Sequence, residues 1–279
     1  MRIKCWGSRG SISVSGEEYV TYGGDTTCLE VVADSGQIVI VDAGTGMRRL
    51  GKSLLERKEK EYYLLLTHCH WDHILGIAFF HPLLRKDTRL IVQDRLVGSI
   101  NTKTVLDEVM KDPFFPVRIE DFQADIRFDA SLNGSFQIGS LSIDSIPTSH
   151  SKGSLGYRFR EKGKTFVFLT DNELGFSHPQ SLGREAYIDF CKGADLLFHD
   201  TEYTADEYAY KKGWGHSCVP DVLDLVLKAG VGHLGLIHLN QDRTDEQMDE
   251  IVAACSRFFR SQNCPTKVSG ISYHFEITL

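Results

Sequence analysis

Apolar residues fall along this chain in two recurring patterns, which together predict a mixed α/β fold. Short runs rich in Val, Ile, Leu and Phe, bounded by Gly, Asp or Ser, predict strands. They lie over residues 2–6, 27–33, 37–42, 62–67, 89–93, 135–138, 141–147, 155–160, 165–170, 195–199, 233–238 and 272–278. Helical spacing predicts helices over 46–58, 75–85, 101–111, 181–192, 219–229 and 244–259. Residues 219–229 are the clearest case. Val219, Val222, Leu223, Val226 and Leu227 share a face, Pro220 suits the first turn and Gly230 the end. Asp34-Ser35-Gly36 and Glu161-Lys162-Gly163-Lys164 are polar turns between apolar runs and predict hairpins. Patterning alone does not select one α/β architecture from the others.

Candidate chemistry is concentrated after the strand-like run Tyr62-Tyr63-Leu64-Leu65-Leu66, in Thr67-His68-Cys69-His70-Trp71-Asp72-His73. Alternation sends His68 and His70 to one side as the chain leaves the sheet and turns Cys69 away. Asp72 and His73 follow as the chain enters a helical turn. Four such ligands on one strand-to-helix loop suit one metal ion or two.

This run resembles the H-x-H-x-D-H signature of the metallo-β-lactamase-fold hydrolases. The resemblance covers about Met1 to Glu250 and implies further ligands in a fixed order. His150, Asp171 and His238 stand where they are expected, each after an apolar strand-like run. The resemblance implies His68, His70 and His150 on one divalent metal. It places Asp72, His73 and His238 on a second, with Asp171 bridging them. It also implies a four-layer αββα sandwich, read here as a single domain over 1–279. A metal pair of this kind lies about 3.5–4 Å apart and brings a shared water to a pKa near ~7, so that hydroxide can attack. Imidazole and carboxylate donors suit zinc, with manganese or iron as alternatives. Asp42, ending the run Ile38-Val39-Ile40-Val41, resembles the family carboxylate that orients a ligand histidine; the other reading makes it a helix N-cap.

Two further segments resemble parts of this family. Gly213-Trp214-Gly215-His216-Ser217 and Asp200 are similar to the His-Ser motif and strand-end acid of the ribonuclease Z and phosphodiesterase branch. There the histidine, steadied by the carboxylate, protonates a leaving alkoxide. That implies His216, Asp200 and Asp72 as the catalytic groups, with Ser217 read either as part of the motif or as a helix N-cap. His199, next to Asp200, is read as structural. At the N-terminus, Gly7-Ser8-Arg9-Gly10-Ser11-Ile12 and Tyr22-Gly23-Gly24-Asp25-Thr26-Thr27 are similar to glycine-rich segments of bacterial metal-dependent hydrolases, some described as class II cyclic-nucleotide-phosphodiesterase-like. Asp25 stands where Asn is usual. Arg9, Ser8 and Thr26 are therefore candidate phosphate contacts. Tight turns between strands are the competing reading of these glycines.

Composition narrows the substrate and the setting. The 279 residues carry a formal charge of −7, with 25% charged and 42% apolar residues. That is an ordinary globular balance and argues against a broad nucleic-acid surface. No run approaches the ~20 apolar residues of a membrane span, and the first residues lack the apolar core of a signal peptide. Seven cysteines without a C-x-x-C pair fit a reduced, cytoplasmic setting. The expected substrate is a small cyclic or linear phosphodiester. The alternatives are an RNA-processing nuclease of the ribonuclease Z type, an acyl hydrolase (lactonase, thioesterase or β-lactamase-like) and a catalytically silent binding module. The first of these is disfavoured because residues 172–213 hold no long basic Gly/Pro-rich arm. Two points stay open: whether the apolar loop Asp112-Pro113-Phe114-Phe115-Pro116 makes a wall, a lid or a homodimer contact, and what supports His238, which Leu239-Asn240 follows where relatives often carry a second His.

Overall fold

The computed structural model describes residues 1–150 and 153–279. Two seven-stranded sheets form the frame. In the first, the strand order is Glu276–Thr278, Arg2–Gly7, Cys28–Val32, Ile38–Val41, Glu61–Leu65, Arg89–Gln93 and Asp125–Asp129. In the second it is Ser135–Ile138, Leu141–Pro147, Leu155–Glu161, Lys164–Leu169, Leu196–Asp200, His233–Ile237 and Lys267–Gly270. Each sheet read this way begins with antiparallel pairings and ends with parallel ones. The parallel halves matter for function, because their strands release the chain at one common end, where loops gather.

Burial follows from the alternation. Ile3, Val31, Val39 and Leu65 of the first sheet meet Ile143, Phe159, Phe166, Phe198 and Ile237 of the second in one shared core. The outer face of the first sheet is covered by the helix Met47–Leu55 and, further along, by Leu106 and Met110. The outer face of the second carries helices Arg184–Cys191, Val219–Ala229 and Asp245–Ser261. Helix, sheet, sheet and helix make four layers, the αββα sandwich expected from the resemblance. Local signals fix the helix ends. Thr244 and Gln247 form a reciprocal capping box, and Gly230, at φ 67°, closes Val219–Ala229 in the left-handed conformation.

Three expectations need correction. Residues 75–85 are not one α-helix; a single turn, Trp71–Ile74, gives way to 3₁₀ turns at Leu75–Phe79 and His81–Leu84. Gly76 explains the break. Its N–H bonds to the Ala43 carbonyl at 2.7 Å, and a Cβ there would lie 1.9 Å from the Gly44 oxygen. Pro82 then cannot donate to a continuing helix. The terminal strand is only Glu276–Thr278, because Phe275 N–H turns back to the Ser272 carbonyl. Two edge strands, Asp125–Asp129 and Lys267–Gly270, were not anticipated. Lys267–Gly270 is too polar to show as an apolar run. In the loop at 112–116, Phe114 and Phe115 stand with Trp71, Leu75 and Phe79 around a cavity of about 100 Å³. No helix among the described residues is long and apolar enough to cross a membrane.

Candidate metal centre

Seven side chains from four strand ends meet in one cluster. His68 and His70 leave the strand Glu61–Leu65, and Asp72 and His73 sit on the single turn Trp71–Ile74. His150, Asp171 and His238 follow the strands Leu141–Pro147, Lys164–Leu169 and His233–Ile237. The ligand atoms of His68, His70 and His150 lie within 4.8 Å of one another, and so do those of Asp72, His73 and His238. Asp171 stands between the two triads. Its Oδ1 is 3.6 Å from Nε2 of both His68 and His150 and 3.4 Å from Nε2 of His238; its Oδ2 is 3.3 Å from Nε2 of His73. His70 is exposed, whereas the other six are buried. Asp171 and His238 are held at positive φ, 49° and 57°, as is Asp42 at 63°. Non-glycine residues adopt this region at a cost of order 1 kcal/mol, which the packed strands on either side sustain.

The donor set fits divalent metal. Nε2 of His68 is buried without a hydrogen-bond partner and points into the cluster, while Nε2 of His73 lies 3.1 Å from Asp72 Oδ2 and 3.3 Å from Asp171 Oδ2. An orphaned nitrogen such as that of His68 is costly unless an ion takes its lone pair. Burial lowers the pKa of His68 and His70, and takes His150 down to about 4, so these rings are neutral, as ligands must be. For His73 and His238 burial also pulls downward, but Asp72 and Asp171, with Asp42 or Glu202, outweigh it and raise both well above the usual histidine value. The same histidines overcome burial at Asp72 and Asp171 and hold both carboxyls far below the ordinary range. The metal-free cluster thus balances its carboxylates with protons, and cation binding releases them.

Each triad is held from behind. His73 donates through Nδ1 to Asp42 Oδ2 at 2.8 Å, and Asp42 also accepts from Thr67 N–H at 2.7 Å. Asp42 therefore orients a ring rather than capping a helix. His150 Nδ1 donates to the Gly215 carbonyl at 3.0 Å. His238 Nδ1 donates to Glu202 Oε2 at 3.0 Å, and Glu202 Oε1 accepts from Asn240 Nδ2 at 3.1 Å. Glu202 was not anticipated, although its place two residues after Asp200 put a second carboxylate on the same side of the chain. Together with Asn240 it supplies the support for His238. Glu202→Gln should keep the fold and weaken metal affinity about 10–100-fold, the usual effect of losing such a partner. Chelator competition against the unaltered protein checks this; equal affinities would remove Glu202 from the metal site.

His216 adjoins the cluster without belonging to either triad. Its ring stacks on His238 with centroids 4.6 Å apart and lies 5.2 Å from the His150 ring. Nδ1 donates to Asp200 Oδ2 at 2.9 Å. Burial lowers the His216 pKa, but Asp200 and Glu202 outweigh it and raise it to about 9. A second unanticipated carboxylate, Glu173, holds the loop leading to His216. It accepts from the N–H groups of Gly213 (2.6 Å) and Gly215 (2.7 Å), from the Tyr208 hydroxyl (2.7 Å) and from His178 Nε2 (2.7 Å). Ser217 is not the helix cap. Its hydroxyl donates to the Asn172 carbonyl at 2.5 Å and accepts from Leu174 N–H, while Cys218 takes the N-cap position. His199 is buried, with Nδ1 donating to the Asp200 carbonyl at 2.7 Å, a structural placement.

The predicted phosphate contacts need correction. The Arg9 guanidinium is fully buried and donates to backbone carbonyls: Nε to Gly23 at 3.1 Å, Nη1 to Asn240 at 3.0 Å and to Arg243 at 2.8 Å. Thr26 is buried, and its hydroxyl accepts from Thr45 N–H at 2.9 Å. The Ser8 hydroxyl is buried without a partner. None of the three faces a substrate in this arrangement. The glycines serve close approach instead: a Cβ on Gly10 would lie 2.3 Å from the His238 ring, and one on Gly215 would lie 2.1 Å from His150.

The sequence profile of the beta-lactamase superfamily domain matches residues 37–239, from the strand before Asp42 to just past His238. The chain belongs to this superfamily. It is a metal-dependent hydrolase with the metallo-β-lactamase fold. A curated relative, ribonuclease Z of Haloarcula marismortui, is 25% identical over 90% of each chain. The fold matches a crystal structure of a diphosphatase from the PhnP family, with a TM-score of 0.65, 19% identity, and coverage of 100% of this chain and 97% of that one. It also matches zinc-bound PqqB from Methylobacterium extorquens, with a TM-score of 0.68, 14% identity and complete coverage of both chains.

Proposed function

We propose that this chain is a two-metal phosphodiesterase acting on a small cyclic or linear phosphodiester. The observation that carries the proposal is the His216–Asp200 pair beside a complete double triad. In this reading His68, His70 and His150 would hold one ion and Asp72, His73 and His238 the other, with the Asp171 carboxylate between the triads available to both. The donor set suits zinc, with manganese or iron as alternatives. When bound, such a pair supplies an activated water and neutralises charge on the phosphoryl oxygens. The protein's own groups do the rest. Asp42, Glu202 and the Gly215 carbonyl fix which nitrogen His73, His238 and His150, respectively, present. Asp200 engages His216 Nδ1, so proton delivery to the leaving oxygen falls to Nε2. An alkoxide leaving group needs that proton; a β-lactam or thioester, with its better leaving group, needs it far less.

The relatives named ribonuclease Z and diphosphatase support cleavage at phosphorus. A small substrate is favoured over tRNA by the segment between Asp171 and His216. It holds the helix Arg184–Cys191, packed on the second sheet, the strand Leu196–Asp200 within that sheet and one short surface helix, Ala205–Tyr208, and no long helical or stranded arm among the described residues. The formal charge of −7 points the same way. The test sets bis-p-nitrophenyl phosphate, 2′,3′-cyclic AMP and 3′,5′-cyclic AMP beside a tRNA precursor, nitrocefin and a thioester. Turnover of the small diesters alone is expected. Cleavage of the precursor at far higher efficiency would make the chain a nuclease, and turnover of only the lactam or thioester would make it an acyl hydrolase.

A further inference from the structure

Arg9 does not reach the solvent, yet its loop touches the metal cluster, and always on the same side. Arg9 is bridged in parallel to Thr26 on one flank and to Leu239 on the other. Gly10 N–H donates to the Leu239 carbonyl at 2.9 Å, and Leu239 N–H donates to the Ser8 carbonyl at 3.0 Å. The loop is thereby joined to the residue that follows His238. Gly10 packs so closely on the His238 ring that no side chain fits there. One residue later, Ser11 N–H donates to Asp72 Oδ2 at 2.9 Å, from a left-handed backbone at φ 61°. Arg9 closes the arrangement. Its Nη1 holds the carbonyls of Asn240 and Arg243, downstream of His238, while Nε holds Gly23. The loop's hydrogen bond to the cluster falls on Asp72 and its tightest approach on His238, two members of the same triad.

We infer that Arg9 is a positioning residue for one metal site of the two. It clamps residues 8–11 against residues 239–243, and so sets the separation of Asp72 and His238 while leaving the other triad alone. The inference rests on the two-metal reading. The guanidinium is suited to the task because its planar fork can hold several carbonyls in fixed directions, which a lysine ammonium cannot do. Burial without a carboxylate partner in hydrogen-bond contact is expensive, and it is offset by the three carbonyls on Nε and Nη1 and by the Tyr19 ring 5.1 Å away, while Nη2 is buried without a partner. Burial also lowers the Arg9 pKa, with nearby Asp245 opposing the shift.

The test is a zinc titration of metal-free protein, followed by chelator competition and by elemental analysis of bound zinc, for the unaltered chain, Arg9→Lys, Arg9→Ala and Gly10→Ala. The unaltered chain is expected to bind two ions. In each variant one ion should bind as before and the other about 10–100-fold more weakly, as when a ligand loses its supporting shell. Gly10→Ala leaves the clamp intact but forces the His238 ring to move, so it decides the matter if Arg9→Ala does not fold. Circular dichroism of the metal-free proteins separates misfolding from a metal effect. Equal weakening of both ions, or two ions bound with unchanged affinity, would overturn the inference. A single ion on the unaltered chain would overturn the two-metal reading itself, and that outcome is visible before any variant is compared.

Discussion

Replacing Asp171 by Ala should remove both metal ions and reduce diester turnover by about four orders of magnitude, roughly 5 kcal/mol in the barrier. The expectation follows from its place in the cluster. Its two oxygens lie 3.3–3.6 Å from four different imidazoles, two from each triad. Among the described residues no other carboxylate touches both triads in this way, so its loss leaves two half-sites without their shared anion. His68→Ala should also abolish turnover, by stripping one triad to two histidines. Elemental analysis after gel filtration measures the first effect and hydrolysis of bis-p-nitrophenyl phosphate the second. Circular dichroism on the same samples shows whether the fold is kept. Asp171→Ala protein that retains two ions and full activity would remove Asp171 from the site.

Replacing His216 by Ala should leave both ions bound and slow the reaction in a leaving-group-dependent way. General acid catalysis contributes roughly 10²–10⁴-fold where the leaving group needs a proton. A ribose alkoxide needs one and p-nitrophenolate hardly does. The variant should therefore lose two or more orders of magnitude on a cyclic nucleotide and much less on bis-p-nitrophenyl phosphate. Asp200→Asn should follow the same pattern more weakly, because the imidazole keeps a hydrogen-bond partner at Nδ1 but loses its charge. Equal losses on activated and unactivated esters would make His216 a structural group, and its close stacking on His238 would then be its whole role.

The cluster was legible in the sequence because one dense run carries a family resemblance that implies the remaining members. His68 to His73 form one dense run, and His150, Asp171 and His238 each follow an apolar strand. The supporting shell was much harder to read. Glu202 and Glu173 become meaningful only when the second sheet brings Asn240 and the 213–215 loop onto them, contacts separated by about forty residues. Arg9 shows the converse error. A guanidinium beside glycines and hydroxyls reads locally as a phosphate site, but chain topology carries it under residues 240–243, where backbone carbonyls take its protons. The break at Gly76 is of the same kind, since the obstacle is the Gly44 carbonyl on a separate segment. Propensity registered none of these long-range contacts, whereas the apolar runs located most strands of the two sheets.

The central claim is that two ions act together on a phosphodiester, and one titration tests it most directly. Metal-free protein is given zinc in steps from zero to four equivalents while hydrolysis of bis-p-nitrophenyl phosphate is followed, with nitrocefin in a parallel series. The account predicts diester turnover that rises to a plateau at two equivalents per chain, with no nitrocefin turnover at any point. A plateau at one equivalent, or turnover of nitrocefin alone, would contradict it.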